Sequence, residues 1–330
     1  MSIEELSPEA ASAAVASYWH WYGVPTFLRC PLAPDFKETD IGIIGYPYSG
    51  GNAIERMQYL GPRAIRCRSS SYHRVHRKFR LDPFKLARVR DLGDVPFPNV
   101  LNPDLSSEDA QAHFAKIFEA GILPVGVGGD HSLTWPLLRA RFAHFSEPVA
   151  IIHFDSHTDA APPCSGTRNT ASGFRIGTED GVIDPKKTVQ IGIRGPLGDL
   201  HQDAWAEENF RAVITTEAFV EKGVDAVQKI VREVVGDSPT FLSFDLDAID
   251  PADVPGVADP EIDGIRIREM MQLLDGFRGL NLIGADVVCL CPPLDNPSQI
   301  SAMTASLLLH EFVTLIADRH FGGARGTREA

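Results

Sequence analysis

The chain has 330 residues, 44% of them hydrophobic, and a formal net charge of −13. That length suits one large α/β sheet with helices on both faces, and the apolar share is enough for a sizeable core. So acidic a chain repels phosphate backbones, which argues against nucleic acid as a partner, while its sign suits a small cation.

Residues 1–39 are rich in aromatics and proline around YWHWYGVPTFLRCPLAP and read as an N-terminal arm, packed on the main domain or on a neighbouring subunit. The opening MSIEELSPEA lacks the basic and apolar regions of a secretory signal, so a cytoplasmic location is expected. No stretch is expected to span a bilayer. From Asp40 onward short apolar runs alternate with longer amphipathic ones. Strands are predicted for DIGIIGY from Asp40, LARVRDL from Leu86, ILPVGVG from Ile122, VAIIHFD from Val149, TVQIGIR from Thr188, RAVIT from Arg211, TFLSFDL from Thr240 and NLIGADVV from Asn281. Helices are predicted for Ser107–Ala120, Ser132–Phe142, Val224–Val235, Ile265–Leu274 and Ser301–Ala317; the first carries Glu108 and Asp109 in its opening turn, where the dipole favours acid. This alternation indicates βαβ units, a parallel sheet and one domain over residues 40–320, with 321–330 as a flexible tail. The cysteines, Cys30, Cys67, Cys164, Cys289 and Cys291, are odd in number and form no C-x-x-C pair, so reduced thiols are expected.

In parallel sheets ligands bind beyond the carboxyl ends of the strands, and there the polar residues of this chain collect. ILPVGVG runs into Gly129, Asp130, His131 and Ser132. VAIIHF runs into Asp155, Ser156, His157, Thr158 and Asp159, and TFLSF into Asp245, Leu246, Asp247, Ala248, Ile249 and Asp250. Alternation in an extended segment puts Asp155, His157 and Asp159 on one face, and Asp245 with Asp247 on another. Carboxylates crowded in this way repel each other or take protons unless a cation lies between them. Four or five carboxylates with two imidazoles suit two divalent ions of the manganese, nickel, iron or cobalt type rather than calcium. Taken singly, each motif is more often a turn or helix cap; three together at strand ends are not. GVGGDHS is not a phosphate loop, since no Lys-Ser/Thr follows and the G-x-G-x-x-G spacing is missing.

GGDHS, HFDSHTD and SFDLDAIDP, with LARVRDLGDVP, TVQIGIRG and the PP-x-D at Pro292, resemble the ureohydrolase family of arginases, agmatinases and guanidinobutyrases from Asp40 to Ala317. The resemblance implies a three-layer α/β/α fold with an eight-stranded parallel sheet. It implies two divalent metals, nickel or manganese, one held by His131, Asp155, Asp159 and Asp245, the other by His157 and Asp247 with Asp155 and Asp245 bridging. It makes Asp159 a catalytic residue that orients the attacking water and passes a proton to the leaving amine. It makes Glu261 the acid that grips the guanidinium through paired, charge-assisted bonds; the plainer reading of Glu261 is an acid ahead of the helix at Ile265. The implied reaction is hydrolysis at the central carbon of a guanidino substrate by metal-activated water.

Several positions depart from the family. Where its H-G-T-P-F-R stretch is expected stands Thr170-Ala171-Ser172-Gly173-Phe174-Arg175, without the proton-shuttling histidine. Cys289 replaces the glutamate of D-V-V-E-V, and the G-T-G-T-P-E turn reads Gly256-Val257-Ala258-Asp259-Pro260-Glu261. Thr170, Ser172 and His201 are candidates for the missing function, Thr170 also as a substrate contact; His153 reads as a buried residue behind the ligands. The changes fall where substrate is held, and the set is most similar to the branch acting on guanidine or on biguanides such as metformin, which is associated with nickel. Guanidine would give ammonia and urea, and metformin dimethylamine and guanylurea. The alternatives are an agmatinase or guanidinobutyrase, a deacetylase of the same fold with one zinc, and a subunit of a hetero-oligomeric biguanide hydrolase. Family members are commonly trimers or hexamers, so a homo- or hetero-oligomer is expected.

Overall fold

The computed structural model describes residues 22–52, 57–163 and 169–325. Its centre is a sheet of eight parallel strands: β1 (Ile41–Tyr46), β2 (Val89–Asp94), β3 (Leu123–Gly128), β4 (Val149–Phe154), β5 (Ile183–Ile193), β6 (Ala212–Thr215), β7 (Thr240–Asp245) and β8 (Leu282–Val288). Their order is β2-β1-β3-β8-β7-β4-β5-β6. Every residue of β1, β4 and β7 is buried, as a sheet covered on both faces requires.

The helices are α1 (Gly61–Ser69), α2 (Pro83–Leu86), α3 (Pro103–Glu119), α4 (Thr134–Phe145), α5 (Gly173–Glu179), α6 (Ala204–Asn209), α7 (Thr216–Lys222), α8 (Val224–Val235), α9 (Ile267–Asp275) and α10 (Ile300–Arg325). One face of the sheet packs on Ile65 of α1, Val227 and Val231 of α8, Met270 of α9 and Leu308 and Phe312 of α10. The other packs on Phe114 of α3, Leu137 of α4, Phe174 of α5 and Ala206 of α6. This is the expected three-layer arrangement.

Differences from the sequence reading have local causes. Helix α3 starts at Pro103, four residues before the expected Ser107, because Asn102 caps it by accepting from the amides of Asp104 and Leu105, each at 3.1 Å. Asp109, expected in the first turn, instead accepts the amide of Asn99 at 3.0 Å. Strand β5 begins at Ile183 rather than Thr188; its first residues are partly exposed and its pairing with β4 shifts register after Val149, which hides the strand's period. Helix α1 was not foreseen: its sequence GPRAIRCRS buries only Gly61, Pro62, Ile65 and Ser69.

Helix α10 runs to Arg325, into the expected tail, and Phe321 packs on the core. Its segment Ile300–Gly323 is long and apolar enough to cross a membrane by length and composition, contrary to the sequence reading, but 83% of its apolar window is buried inside the protein. It is a core helix. The first half of the N-terminal arm and Cys164 lie outside the described residues. The second half packs on its own domain: Phe27, Leu28 and Cys30 are buried, the Phe27 amide donates to Asp91 at 3.0 Å, and the Arg66 guanidinium lies 4.0 Å from the Phe27 ring centre.

Candidate metal centre

The chain passes from β3 on one side of the sheet to β4 on the other, leaving β8 and β7 to fill the gap. Such a switch point leaves a crevice at the carboxyl ends of the strands. Register brings those ends level: Phe154 pairs with Phe244, and Asp245 with Val288. Residues immediately after β3 and β4, and at the end of β7, therefore meet.

His131 leaves β3 through a tight turn. Gly129 sits there because a Cβ would approach the Tyr48 carbonyl oxygen to 2.0 Å. Asp130 then accepts the Gly51 amide at 2.8 Å and the Ser132 amide at 3.1 Å, which turns the chain and presents His131. The His131 Nδ1 faces Asp155 Oδ2 at 3.1 Å, Asp159 Oδ2 at 3.2 Å and Asp245 Oδ2 at 3.3 Å. His157 Nδ1 lies 3.4 Å from Asp155 Oδ1 and 3.2 Å from Asp247 Oδ2. Asp155 thus offers one oxygen to each imidazole, the geometry of a bridging ligand. All six expected ligands converge.

The set fits two divalent cations. His131 Nδ1 is buried and has no hydrogen-bond partner among the described residues, and three carboxylate oxygens surround it. Its tautomer follows from its other side. Asp286 accepts from the hydroxyls of Ser243 at 2.8 Å and Thr134 at 2.7 Å. Ser243 Oγ, having donated its proton, accepts from His131 Nε2 at 2.9 Å. That leaves the Nδ1 lone pair aimed at three anions, which only a cation or a second proton relieves. Burial alone would lower the His131 imidazole, but the three carboxylates lift it well above its usual range. Burial, with Asp247 and Asp155 nearby, pushes Asp245 well up. Two divalent ions would neutralise the four ligand carboxylates.

Asp155 is itself held from behind. Gln190 Nε2 donates to His153 Nδ1 at 2.9 Å, so His153 Nε2 carries the proton it gives to Asp155 Oδ2, also at 2.9 Å. On its other oxygen Asp155 accepts the His157 amide at 2.7 Å, and Asp247 accepts the Ser156 amide at 2.9 Å. Asp159 has φ 46° and Cys289 φ 67°, left-handed conformations that are uncommon for residues other than glycine.

Above the ligands is a small cleft, lined by Asn52, Thr170, Ala258, Asp259 and Cys289 together with His131, His157, Asp159, Asp245 and Asp247. Thr170 is where it was expected, its amide bonded to the Gly51 carbonyl at 3.0 Å. Glu261 is not among these lining residues. Its carboxylate lies against Gly195, where a Cβ would come within 2.6 Å of it. Arg194 binds the carbonyls of Glu261 at 2.7 Å, Ile262 at 3.2 Å and Asp247 at 2.6 Å, which pins that stretch of loop beside the end of β5. The acid of this turn that faces the cleft is Asp259. His201 is exposed in the loop before α6 and Ser172 is buried at the start of α5; neither lines the cleft.

Sequence reasoning did not assign a role to Asn52, Asp259, Ser243 or Asp286. Asp286 had left a sign, a lone acid inside the apolar run NLIGADVV. The partners of Asn52 and Asp259 lie 207 positions apart, and no periodicity reveals such a pair.

A doubly covered parallel sheet carrying two imidazoles and four carboxylates at its switch point defines a hydrolase of the metal-dependent α/β type. The chain belongs to the arginase family, whose model matches residues 39–314, and is a hydrolase acting on guanidino C–N bonds. It is 40% identical over 301 residues to the guanidinopropionase of Pseudomonas aeruginosa, covering 90% of this chain and 92% of that one. It is 32% identical over 290 residues to the guanidinobutyrase of the same species, covering 87% and 90%. Among solved structures, proclavaminate amidino hydrolase from Streptomyces clavuligerus superposes with a TM-score of 0.87 at 32% identity, covering 92% of this chain and all of that one.

Proposed function

We propose that this chain hydrolyses a small guanidino compound at a centre of two divalent cations, nickel or manganese. The observation that carries the reading is the buried, unpartnered His131 Nδ1 facing Asp155, Asp159 and Asp245. His131, Asp155, Asp159 and Asp245 would hold one cation, and Asp155, His157, Asp245 and Asp247 the other. Bound there, the cations would activate water and neutralise charge developing at the attacked carbon. Asp159 lines the cleft and is 9% exposed, so it is placed to take a proton and return it to the departing amine.

Relatives named guanidinopropionase, guanidinobutyrase and agmatinase support an alkyl-guanidino substrate that releases urea. Guanidine or a biguanide such as metformin is the second reading. It is favoured over guanidino acids, though not over agmatine, by one observation: the described residues lining the cleft include no lysine or arginine to receive an acidic tail. As separate proposals, the protein works in the cytoplasm and as a trimer or hexamer, of one or two kinds of chain.

The test is mass-spectrometric product analysis of protein loaded separately with nickel and manganese. The substrates are agmatine, 4-guanidinobutyrate, 3-guanidinopropionate, guanidine and metformin. Urea from an alkyl-guanidino compound supports the first reading; turnover of guanidine or metformin alone supports the second. No turnover of any of them, with two metals bound, overturns both for this chain acting by itself.

A further inference from the structure

We propose that Asp259, held in place by Asn52, sets the charge of the substrate that this centre accepts, selecting cations and disfavouring guanidino acids. The proposal rests on the guanidino-hydrolase reading above and narrows its substrate class.

Asp259 and Asn52 belong to two different loops that line the cleft, one after β7 and one after β1. The Asn52 side-chain amide donates to Asp259 Oδ2 at 2.8 Å. Each loop is anchored. Asn52 follows Gly51, whose amide is bonded to Asp130 at 2.8 Å and whose carbonyl accepts the Thr170 amide at 3.0 Å. The same Asp130 shapes the turn that presents His131, so Asn52 is fixed relative to the metal ligands. In the other loop, Val257 is buried and bridges to Leu290. The Gly256 amide donates to Ser301 Oγ at 2.8 Å, and the Gly256 carbonyl accepts the Cys291 amide at 2.7 Å. Asp259 therefore projects from a braced turn.

The charge count gives the consequence. Two divalent cations would balance Asp155, Asp159, Asp245 and Asp247; Asp259, which lines the cleft beside the last three, is then left without a compensating charge. With the ions bound, the cleft keeps an excess negative charge at its wall. A guanidinium is planar and cationic, and pairs with a carboxylate through charge-assisted hydrogen bonds. A zwitterionic guanidino acid would bring its own carboxylate into the same small space. No lysine or arginine among the described lining residues offsets that repulsion. The other acid of the loop, Glu261, is turned against Gly195.

The test uses the full-length metal-loaded protein as wild type, Asp259→Asn and Asn52→Ala. Steady-state kinetics with agmatine, guanidine and 3-guanidinopropionate are combined with calorimetric titration of guanidinium chloride, and metal content is measured for each variant. The wild type is expected to prefer the cationic substrates. Asp259→Asn is expected to raise KM for them by about tenfold, the loss of one charge-assisted hydrogen bond, with kcat falling less than KM rises. KM for 3-guanidinopropionate should stay level or fall, and metal content should remain at two. Asn52→Ala should shift the same way by a smaller factor. A wild type that prefers 3-guanidinopropionate overturns the proposal, as does an equal loss for all substrates. If no substrate is turned over, the hydrolase reading fails, and the titration still decides this proposal. Weaker guanidinium binding by Asp259→Asn supports a cation-selecting role, and unchanged binding overturns it.

Discussion

Replacing Asp286 with asparagine reaches the metal centre through two hydrogen bonds without touching a ligand. Asp286 is fully buried and accepts from the Ser243 hydroxyl at 2.8 Å, the Thr134 hydroxyl at 2.7 Å and the Phe244 amide at 3.2 Å. An asparagine of the same shape has one oxygen and one NH2, so at least one of these donors loses its acceptor. A buried unsatisfied donor costs about 1–3 kcal/mol, and that is the expected loss of folding stability in denaturant unfolding. The second effect is specific. If the new amide meets Ser243, the serine turns its proton elsewhere and no longer holds His131 as the Nε2–H tautomer. Nδ1 then loses its standing orientation as a lone-pair donor. Loss of such a support behind a metal ligand lowers metal affinity by about 10–100-fold, equal to about 1.4–2.7 kcal/mol. Titration of the metal-free protein against a competing chelator reads this directly. Unchanged affinity in both a folded Asp286→Asn and a folded Asp286→Ala variant, the second of which removes the acceptor of Ser243 in any orientation, would refute the claim that the Ser243–Asp286 chain sets the tautomer.

Three further outcomes are expected. Asp247→Ala should lower the metal stoichiometry from two to one and abolish turnover; full activity with one metal would sink the dinuclear reading. Metal affinity should rise with pH. In the metal-free protein His131 is lifted by Asp155, Asp159 and Asp245 against the effect of burial, and Asp245 is lifted by burial and by Asp247 and Asp155. Both therefore keep their protons to higher pH than usual, and those protons must leave before a cation binds, so affinity falls as pH falls. Calorimetry in two buffers of different ionisation enthalpy should show proton release, and identical heats would contradict it. Phe27→Ala should cost about 3–5 kcal/mol in denaturant unfolding, because Phe27 is fully buried beneath Arg66. A loss under 1 kcal/mol would show that the arm is not part of the core.

All six side chains that converge at the candidate metal centre were legible from the chain. Strand ends are local, and the apolar runs ILPVGVG, VAIIHF and TFLSF each stop at the residues that matter. A buried parallel strand must be apolar along its length, so the first polar cluster after it marks the carboxyl edge where ligands bind. Eight strands and the parallel sheet followed from the same alternation. Helix α1 did not, because a helix with three arginines and one narrow buried face carries little periodic signal. The start of β5 was hidden for a related reason, its first residues being half exposed and out of register.

Only the tertiary structure decided which polar residues stand behind and above the ligands. Ser243 and Asp286 lie on neighbouring strands β7 and β8 and meet through register, not through sequence distance. Asn52 and Asp259 join two loops that lie 207 positions apart in the chain. Glu261 matches a family pattern in its letters, yet Arg194 fixes the carbonyls around it and its carboxylate lies on Gly195. A ligand set built at strand ends is written in local order, because each strand brings its own residues to the edge. A cleft wall is made by loops that come from different crossovers, and their meeting depends on how the whole sheet is wound.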